Sequence, residues 1–378
     1  MAQLRTDLPI GDHKPLHARL IPKVVDDSPI DLLQYQRIVI VTDGASRSGA
    51  AKTATGLLRY RPQHIAAVLD RSEAGNTAQQ VFGTGGDVPI VSSAQQIADA
   101  DAMFIGIAPA GGKLPESWKP VLTEALENGV DIVSGLHEFL VDDPQLTETA
   151  TRHGTKLIDV RRNRFKSVAS CAEFPASNLR VHTVGHDCAV GKMVVSLEVQ
   201  RELQNRGRDA RFLATGQTGI MIAGRGVPVD CVVADFVSGA VEQLVVSHQQ
   251  HEFVLVEGQG SLTHPSFSGV TLGLLHGCAP QGLIMCYEAG RRSVHELAHV
   301  PLHSLRDLIS IYESMANARH PAKVIGVAAN CRNLDDQAAE YEVARVQDEL
   351  GLPACDVFRQ GAGKLADAVE QLKLELTR

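Results

Sequence analysis

Aromatic residues are scarce in this sequence: Phe, Trp and Tyr together make up only 4% of its 378 residues. Its hydrophobic cores must therefore be mainly aliphatic, which is typical of buried parallel sheets covered by helices. Apolar residues account for 44% of the chain and charged residues for 21%, the balance of an ordinary globular protein. A chain of this length favours two domains over one.

No two cysteines are spaced as Cys-x-x-Cys, and the number of cysteines, seven, is odd. A disulfide framework and a zinc ribbon are therefore disfavoured, and a reducing compartment is favoured. We expect a cytoplasmic protein that requires no metal ion.

Basic clusters and long apolar runs are also missing. The formal net charge is −8, and without a run of Lys and Arg neither nucleic acid nor a membrane surface is an expected partner. The longest apolar stretches have the length of strands, so no transmembrane helix is expected. Residues 1–12 have no apolar core and are not expected to form a signal peptide.

In the first half of the chain, short β-branched runs alternate with helix-like segments. Residues 1–36 contain four prolines and are interpreted as an arm lying on the body or on a partner subunit. Strands are then expected at 37–42, 65–69, 88–91, 102–108, 131–134 and 156–160, and helices at 48–59, 94–100, 115–128 and 143–153. Because this alternation implies parallel strands joined by right-handed crossovers, we predict a Rossmann-like domain over residues 37–162.

A second alternation follows a connector at residues 163–178. Strands are expected at 179–184, 210–214, 253–257, 283–287 and 323–329, with a strand-like run at 231–234. Helices are expected at 191–206, 236–248, 270–276, 302–318, 336–350 and 363–376. The fold class is therefore α/β: a Rossmann-like domain followed by a P-loop NTPase-like domain over residues 179–378, both with mainly parallel sheets.

The strongest single feature is a glycine-bounded loop between the first strand and the first helix of the second domain. It consists of Gly185, His186, Asp187, Cys188, Ala189, Val190 and Gly191, and Lys192 and Met193 open the helix. The glycines permit a turn that points N–H groups inward, and the helix terminus and lysine add positive charge. This context predicts an anion-binding loop, the alternative being an ordinary glycine turn followed by a surface lysine.

Two departures from the Walker A pattern limit what this loop can do. Five residues separate the glycines where the pattern has four, and Met193 stands where Ser or Thr normally holds Mg²⁺. Val194 and Val195 do not supply the hydroxyl. Anion binding is therefore expected to be intact and Mg²⁺-assisted phosphoryl transfer to be impaired.

Further polar loops leave the ends of strands in the same sheet, where α/β proteins bind ligands. Residues 215–219 (TGQTG) and 257–261 (EGQGS) are two of them. Glu257 is a candidate metal ligand or general base, or else a structural carboxylate. Candidate ligands for the substrate or cofactor on these and neighbouring loops are Gln217, Thr218, Asp230, Asp235, Gln259, His264, Arg291 and Asn330.

Two weaker patterns have competing interpretations. Residues 295–299 (HELAH) match the H-E-x-x-H zinc pattern, but that pattern requires a helix, and Gly290 and Pro301 flank it. In the first domain, the loop 44–49 with Lys52 and Asp70 is compatible with a nucleotide-like or anionic ligand. An empty Rossmann scaffold that packs on the second domain is an equal alternative.

Taken together, several separated segments resemble a domain-of-unknown-function family that includes the D-glutamate N-acetyltransferases. The matching segments are 52–54 (KTA), 56–60 (GLLRY), 85–90 (GGDVPI), 106–109 (GIAP), 134–137 (SGLH), 159–162 (DVRR), 187–193 (DCAVGKM), 214–222 (ATGQTGIMI), 256–262 (VEGQGSL), 264–265 (HP) and 268–271 (SGVT). The resemblance covers nearly the whole chain from Ile38. The sequence departs from the family at Val194 and Val195, where hydroxyl residues are common, and the family-like loop is also similar to that of dethiobiotin synthetase.

The resemblance implies transfer of acetyl from acetyl-CoA to the amino group of a D-amino acid, D-glutamate first. Coenzyme A carries phosphates but needs no catalytic Mg²⁺, so a loop that keeps Lys192 without the hydroxyl suits it. Glu257 is then the first candidate for the general base, with Asp235 second and His264 as a further catalytic candidate. Arg291 is the first candidate for the substrate carboxylates, with Lys52 reaching across the interdomain cleft.

Two other functions are compatible with the residues. One is an ATP- or GTP-dependent ligase of the dethiobiotin synthetase kind, and the other is a non-catalytic nucleotide-sensing scaffold. We expect a small-molecule substrate and a homodimer or higher homo-oligomer in each case. The preference for a D-amino acid comes from the resemblance alone.

Overall fold

The computed structural model describes residues 31–93, 96 and 99–377. Two six-stranded sheets, each made of parallel strands and covered by helices, follow one another along the chain. Most of the expected N-terminal arm and of the expected helix at 94–100 lies outside the described residues. The α/β class and the two kinds of domain predicted above are confirmed.

The first sheet has the strand order β3-β2-β1-β4-β5-β6, the Rossmann order. Its elements are β1 (Ile38–Val41), α1 (Lys52–Tyr60), β2 (Ile65–Leu69), α2 (Ala78–Phe82), β3 (Ile90–Val91), β4 (Ala102–Ile105), α3 (Lys119–Glu127), β5 (Asp131–Ser134), α4 (Pro144–His153) and β6 (Leu157–Asp159). All residues of the central strands β1 and β4 are buried because helices cover both faces of the sheet. For this reason the sequences of these strands are unbroken apolar runs.

The second sheet has the order β14-β13-β10-β7-β9-β8. Its elements, with a small hairpin between β10 and α9, are β7 (Leu179–Gly185), α5 (Lys192–Asn205), β8 (Ala210–Leu213), α6 (Gln217–Ala223), α7 (Val237–Val246), β9 (Phe253–Val256), α8 (Ser268–Cys278), β10 (Gly282–Glu288), β11 (Ser293–Val294), β12 (Leu297–Pro301), α9 (Leu305–Asn317), β13 (Lys323–Asn330), α10 (Asp336–Leu350), β14 (Ala354–Cys355) and α11 (Gly363–Leu376). The central strand β7 carries the glycine-bounded loop at its carboxyl end.

Several expectations for local structure were wrong or incomplete. Helix α6 begins at Gln217, within the expected loop 215–219, and the run 231–234 links two short 3₁₀ turns instead of forming a strand. The short elements α2 and β14 were not predicted. The HELAH segment lies on the β11–β12 hairpin and not on a helix, so the pairing of its two histidines on one helical face does not occur.

The two domains pack together through α1 and α6. Leu57 and Leu58 of the first domain and Ile220 and Met221 of the second belong to one buried cluster. The Thr53 and Thr218 hydroxyls are hydrogen bonded at 2.9 Å across this contact. This packing brings the N-terminal end of α6 against the first domain, beside the carboxyl ends of β8 and β9.

Among the described residues, no helix is long and apolar enough to cross a membrane.

Candidate functional site

The loop between β7 and α5 has the backbone of an anion cradle. Gly191 has φ of +102°, a conformation that glycine adopts without strain, and Ala189 also lies at positive φ, +56°. In the part of the chain that the structure describes, the N–H groups of Ala189, Val190 and Gly191 donate to no acceptor. Unpartnered N–H groups at a helix N-terminus fit an anionic group such as a phosphate.

Lys192 is buried at the base of this cradle instead of on the surface. Its Nζ donates a 2.7 Å hydrogen bond to the Asp187 carbonyl oxygen. Burial lowers the pKa of Lys192 from its ordinary value, because the charged form loses hydration. A phosphate bound in the cradle would supply a counter-charge for this ammonium.

Asp187 is a buried carboxylate that fastens the loop to the hairpin segment. Burial alone would raise the pKa of Asp187, but hydrogen bonds from Cys188, His295 and Arg291 outweigh burial and lower it. The Cys188 N–H lies at 2.7 Å, the His295 N–H at 2.7 Å and Arg291 Nη1 at 2.9 Å. Because all these bonds need the ionised form, Asp187 acts here as a structural anion.

Arg291, the first sequence candidate for the substrate carboxylates, is already engaged. Besides Asp187, it contacts Glu288 at 2.5 Å and the Cys188 carbonyl oxygen at 2.9 Å. Glu288 is buried and also receives Arg332 at 2.7 Å. The guanidinium therefore stabilises the loop through Asp187 and Cys188. Binding of a substrate carboxylate by Arg291 stays a prediction.

Two histidines near the cradle are held as hydrogen-bond acceptors. His186 Nε2 accepts the Glu288 N–H at 3.1 Å, and burial lowers the pKa of His186 to about 4. His264 Nδ1 accepts the Ser266 N–H at 3.1 Å, so the neutral ring carries its proton on Nε2, 3.8 Å from Asp187 Oδ1. In this tautomer His264 has no free nitrogen to act as a base.

Glu257 lies at the end of β9 with its side chain buried beneath the start of α6. Its Oε2 accepts N–H bonds from Thr215 at 2.8 Å and Gly216 at 3.1 Å. Burial raises the pKa of Glu257 to about 7, because the hydrogen bonds from Thr215, Gly216 and the Gln259 side chain do not replace the lost hydration. A carboxyl group with this pKa exchanges protons readily near neutral pH.

Gln217 lies at the N-terminal end of α6, next to this carboxylate, and carries an unusual feature. Its side chain is buried, and in the described part of the chain Oε1 has no hydrogen-bond partner. Gly135 of the first domain faces it so closely that any Cβ there would overlap Oε1. A buried acceptor without a partner is expensive to maintain and points to a ligand group that satisfies it.

Beyond Gly135, the first domain presents a polar cluster to the second. Arg161 donates to the Gly135 carbonyl oxygen and forms an ion pair with Asp230 at 2.8 Å. His137 lies 3.8 Å from Asp230 through Nε2 and 3.5 Å from Cys231 Sγ through Nδ1. We call these four side chains the junction cluster.

The remaining sequence candidates lie at the cradle, beside Glu257 or at the contact between the domains, with Asp235 as the exception. Lys52 is exposed at the start of α1, one residue before Thr53, and lines a groove of about 570 Å³ that Met193 also lines. The Asn330 amide contacts the Val190 carbonyl oxygen at 3.4 Å, and Gln259 Nε2 lies 3.3 Å from Thr215 Oγ1. Asp235, the second candidate base, is exposed on a 3₁₀ turn and makes none of these contacts.

Among the described residues, two groups of side chains offer several metal-ligand atoms within a small space: Asp187 with Cys188 and His264, and His137 with Asp230 and Cys231. In the first group both Asp187 oxygens already accept hydrogen bonds, so it does not suit a cation. In the second group the Arg161 guanidinium already neutralises the only carboxylate.

Sequence reasoning missed three members of the junction cluster, Arg161, His137 and Cys231, and also missed Glu288. His137 and Arg161 lie after β5 and β6, at strand ends that a Rossmann sheet directs to its ligand edge. The sequence therefore contained this signal. Only the structure shows that the two domains face each other here, which brings residues of both domains together.

Comparison with known proteins agrees with this architecture. Residues 167–366 match the P-loop domain of unknown function DUF1611_C, and residues 71–163 match the Rossmann-like domain DUF1611_N. A D-glutamate N-acetyltransferase from Tritonibacter scottomollicae is 38% identical over 85% of this chain and 94% of its own length. A second D-glutamate N-acetyltransferase, from a Pseudoalteromonas species, is 37% identical over 70% of this chain and 80% of its own.

A solved structure gives the same result at the level of the fold. The crystal structure of a DUF1611 family protein from Anabaena variabilis superposes with a TM-score of 0.83 at 39% sequence identity. The match covers 89% of this chain and 99% of that protein. With both domains and most of its length matched, the chain belongs to the DUF1611 family.

Proposed function

We propose that this protein is an N-acetyltransferase that moves acetyl from acetyl-CoA to the amino group of D-glutamate. The observation that carries the proposal is the position of Glu257, a buried carboxyl group with a pKa of about 7, between an anion cradle and the domain junction. The two relatives named D-glutamate N-acetyltransferase support the same reaction.

The cradle fits coenzyme A better than a hydrolysable nucleotide. Lys192 and the unpartnered N–H groups of Ala189, Val190 and Gly191 suit the phosphate groups of that co-substrate. Met193 leaves no hydroxyl at the position that holds Mg²⁺ in nucleotide-hydrolysing loops, and its side chain approaches Gly56 of the first domain instead. Binding of coenzyme A phosphates makes no demand for that hydroxyl.

The acyl-transfer step needs a base, because the substrate amine is protonated in neutral water. Glu257 in its ionised form takes a proton from the ammonium group, and the free amine attacks the acetyl thioester. The N–C bond forms, the C–S bond breaks, and the departing thiolate takes up a proton. We expect the Gln217 side chain, whose buried Oε1 has no partner among the described residues, to help orient the substrate.

The charged groups near the junction are compatible with a dicarboxylic amino acid. Lys52 lies directly before Thr53, which contacts Thr218 at the start of α6. Since Arg291 already forms ion pairs with Asp187 and Glu288, Lys52 becomes our first candidate for binding a substrate carboxylate.

The test is release of coenzyme A from acetyl-CoA by the full-length protein, followed with a thiol reagent. We expect release that depends on D-glutamate, and no Mg²⁺-dependent hydrolysis of ATP or GTP. Nucleotide hydrolysis without coenzyme A release would favour the ligase alternative, and ligand-induced stabilisation without any turnover would favour a sensing scaffold.

A further inference from the structure

The junction cluster contains a thiol, an imidazole and a carboxylate whose ligand atoms lie within 4.8 Å of one another. Cys231 Sγ faces His137 Nδ1 at 3.5 Å, and His137 Nε2 faces Asp230 Oδ2 at 3.8 Å. A nucleophile within reach of a base, with the base oriented by a third group, is the arrangement that activates cysteine for covalent catalysis, and such distances are often looser without substrate. Arg161 fixes Asp230 from the other side at 2.8 Å.

The cluster lies close to the proposed site of acetyl transfer. The Thr215 N–H binds the Glu257 carboxylate at 2.8 Å, and the Thr215 carbonyl oxygen accepts the Val229 N–H at 3.1 Å. Cys231 is two residues beyond Val229, and its backbone oxygen receives the Asn163 side chain at 2.9 Å. Two backbone hydrogen bonds and two residues of chain therefore connect the segment that carries Cys231 to the candidate base.

Access and protonation also suit an acyl acceptor. The side chain of His137 is 47% exposed and Cys231 is half-buried, so a thioester can reach the thiol. Burial, with the nearby Asp230 charge, raises the pKa of Cys231 to about 11, and burial lowers the pKa of His137. The resting pair is a neutral thiol beside an unprotonated ring, so the thiol needs His137 as its base.

From this geometry we infer that Cys231 is an acyl acceptor, which carries the acetyl group as a thioester between the co-substrate and the amino acid. This inference rests on the proposed function. His137 takes the thiol proton as Sγ attacks the acetyl carbon of acetyl-CoA, and the coenzyme A thiolate leaves and is protonated by that imidazolium. The amine, deprotonated by Glu257, then attacks acetyl-Cys231, the new C–N bond forms, and the Cys231 sulfur leaves and regains a proton.

Two other assignments for the cluster fit less well. A metal ion would have to bind beside Arg161, whose guanidinium donates two bonds to the Asp230 oxygen that also faces His137. A purely structural role does not need a half-exposed imidazole placed between a thiol and a carboxylate.

The experiment uses the full-length protein and acetyl-CoA, first without an amino acid. After an acid quench, intact mass and peptide mapping should find one acetyl group per chain on Cys231, removed by neutral hydroxylamine and by a D-glutamate chase. Initial-rate plots should show the parallel lines of a ping-pong mechanism. Cys231→Ser should lose the hydroxylamine-sensitive label, whereas Cys171→Ser, which changes an exposed cysteine elsewhere, should keep both label and turnover.

A second variant keeps the test decisive if Cys231→Ser folds poorly. His137→Gln should acylate slowly at pH 7 and recover as the pH rises toward the pKa of Cys231, because hydroxide then replaces the missing base.

Turnover without a thioester on Cys231, a label on Cys188 instead, or stoichiometric Zn²⁺ held by the cluster would each overturn the inference and leave the proposed function standing. Absence of any N-acetylated product from the wild-type protein would overturn both.

Discussion

Replacing Glu257 by glutamine should make the protein more stable and less active at the same time. The carboxylate is buried, and both backbone donors that it accepts, from Thr215 and Gly216, reach one oxygen, Oε2. A glutamine carbonyl oxygen can accept the same two bonds without carrying a charge. The substitution therefore removes the cost of burying an ionised group, which outweighs the added strength that the charge gives to the bonds from Thr215, Gly216 and Gln259.

The magnitude follows from the pKa. Burial raises the pKa of Glu257 from 4.5 to about 7, and each unit corresponds to about 1.4 kcal/mol. Because the folded-state pKa is raised, the stabilising contribution is complete below pH 4.5 and is lost as the pH rises through 7. Relative to wild type, Glu257→Gln should thus gain up to about 3 kcal/mol of unfolding free energy at pH 8 and almost none at pH 4.5.

Urea unfolding at several pH values measures this difference, and Glu340→Gln on the exposed face of α10 is the matched control. Activity should fall by about 10²- to 10⁴-fold in Glu257→Gln, the usual loss of a general base. The wild-type pH–rate profile should rise to a plateau with an inflection near pH 7. A stability difference that does not change with pH would refute the reasoning, as would wild-type turnover in Glu257→Gln. Loss of turnover in Asp235→Asn would indicate that Asp235 is the general base.

Three further changes test the cradle and the junction. Lys192→Ala should weaken coenzyme A binding by about 1.5–3 kcal/mol in calorimetric titration, because a charge-assisted hydrogen bond to phosphate is lost; unchanged affinity would remove the anion-site assignment. Gly135→Ala should lower the unfolding free energy by about 1–3 kcal/mol through overlap with Gln217, and Gly135→Ala combined with Gln217→Ala should recover most of it. Arg291→Met should cost about 3–5 kcal/mol in urea unfolding, because Asp187 is left buried without its counter-ion; a change below 1 kcal/mol would show that the loop does not depend on this pair.

Much of the fold could be predicted from the sequence, because buried parallel strands are continuous β-branched runs between polar turns. Strands β2 and β5 and helices α10 and α11 begin and end where the sequence placed them. Helix α6 was missed because Gly216 and Gly219 suggest a loop, and the helix is held by burial against the first domain, which no local pattern reveals.

The site was predictable only in part. Loop placement at strand ends predicted that Glu257 and Gln217 lie at the same edge of the sheet, because both follow strands of one parallel sheet, and the structure has them there. Arg291 illustrates the limit: its position indicated a ligand contact, but its nearest anions are the protein's own Asp187 and Glu288. The junction cluster could not be predicted, because His137 and Cys231 are far apart in sequence and meet only when the domains pack.

The central claim is acetyl transfer to a D-amino acid, and the most direct measurement identifies the product. The purified full-length protein is incubated with acetyl-CoA and either D- or L-glutamate, and the product is identified by mass spectrometry together with kcat/KM for each isomer. We predict N-acetyl-D-glutamate, formed with one coenzyme A released per product and with a clear preference over the L-isomer. Absence of an N-acetylated product from either isomer would contradict the account.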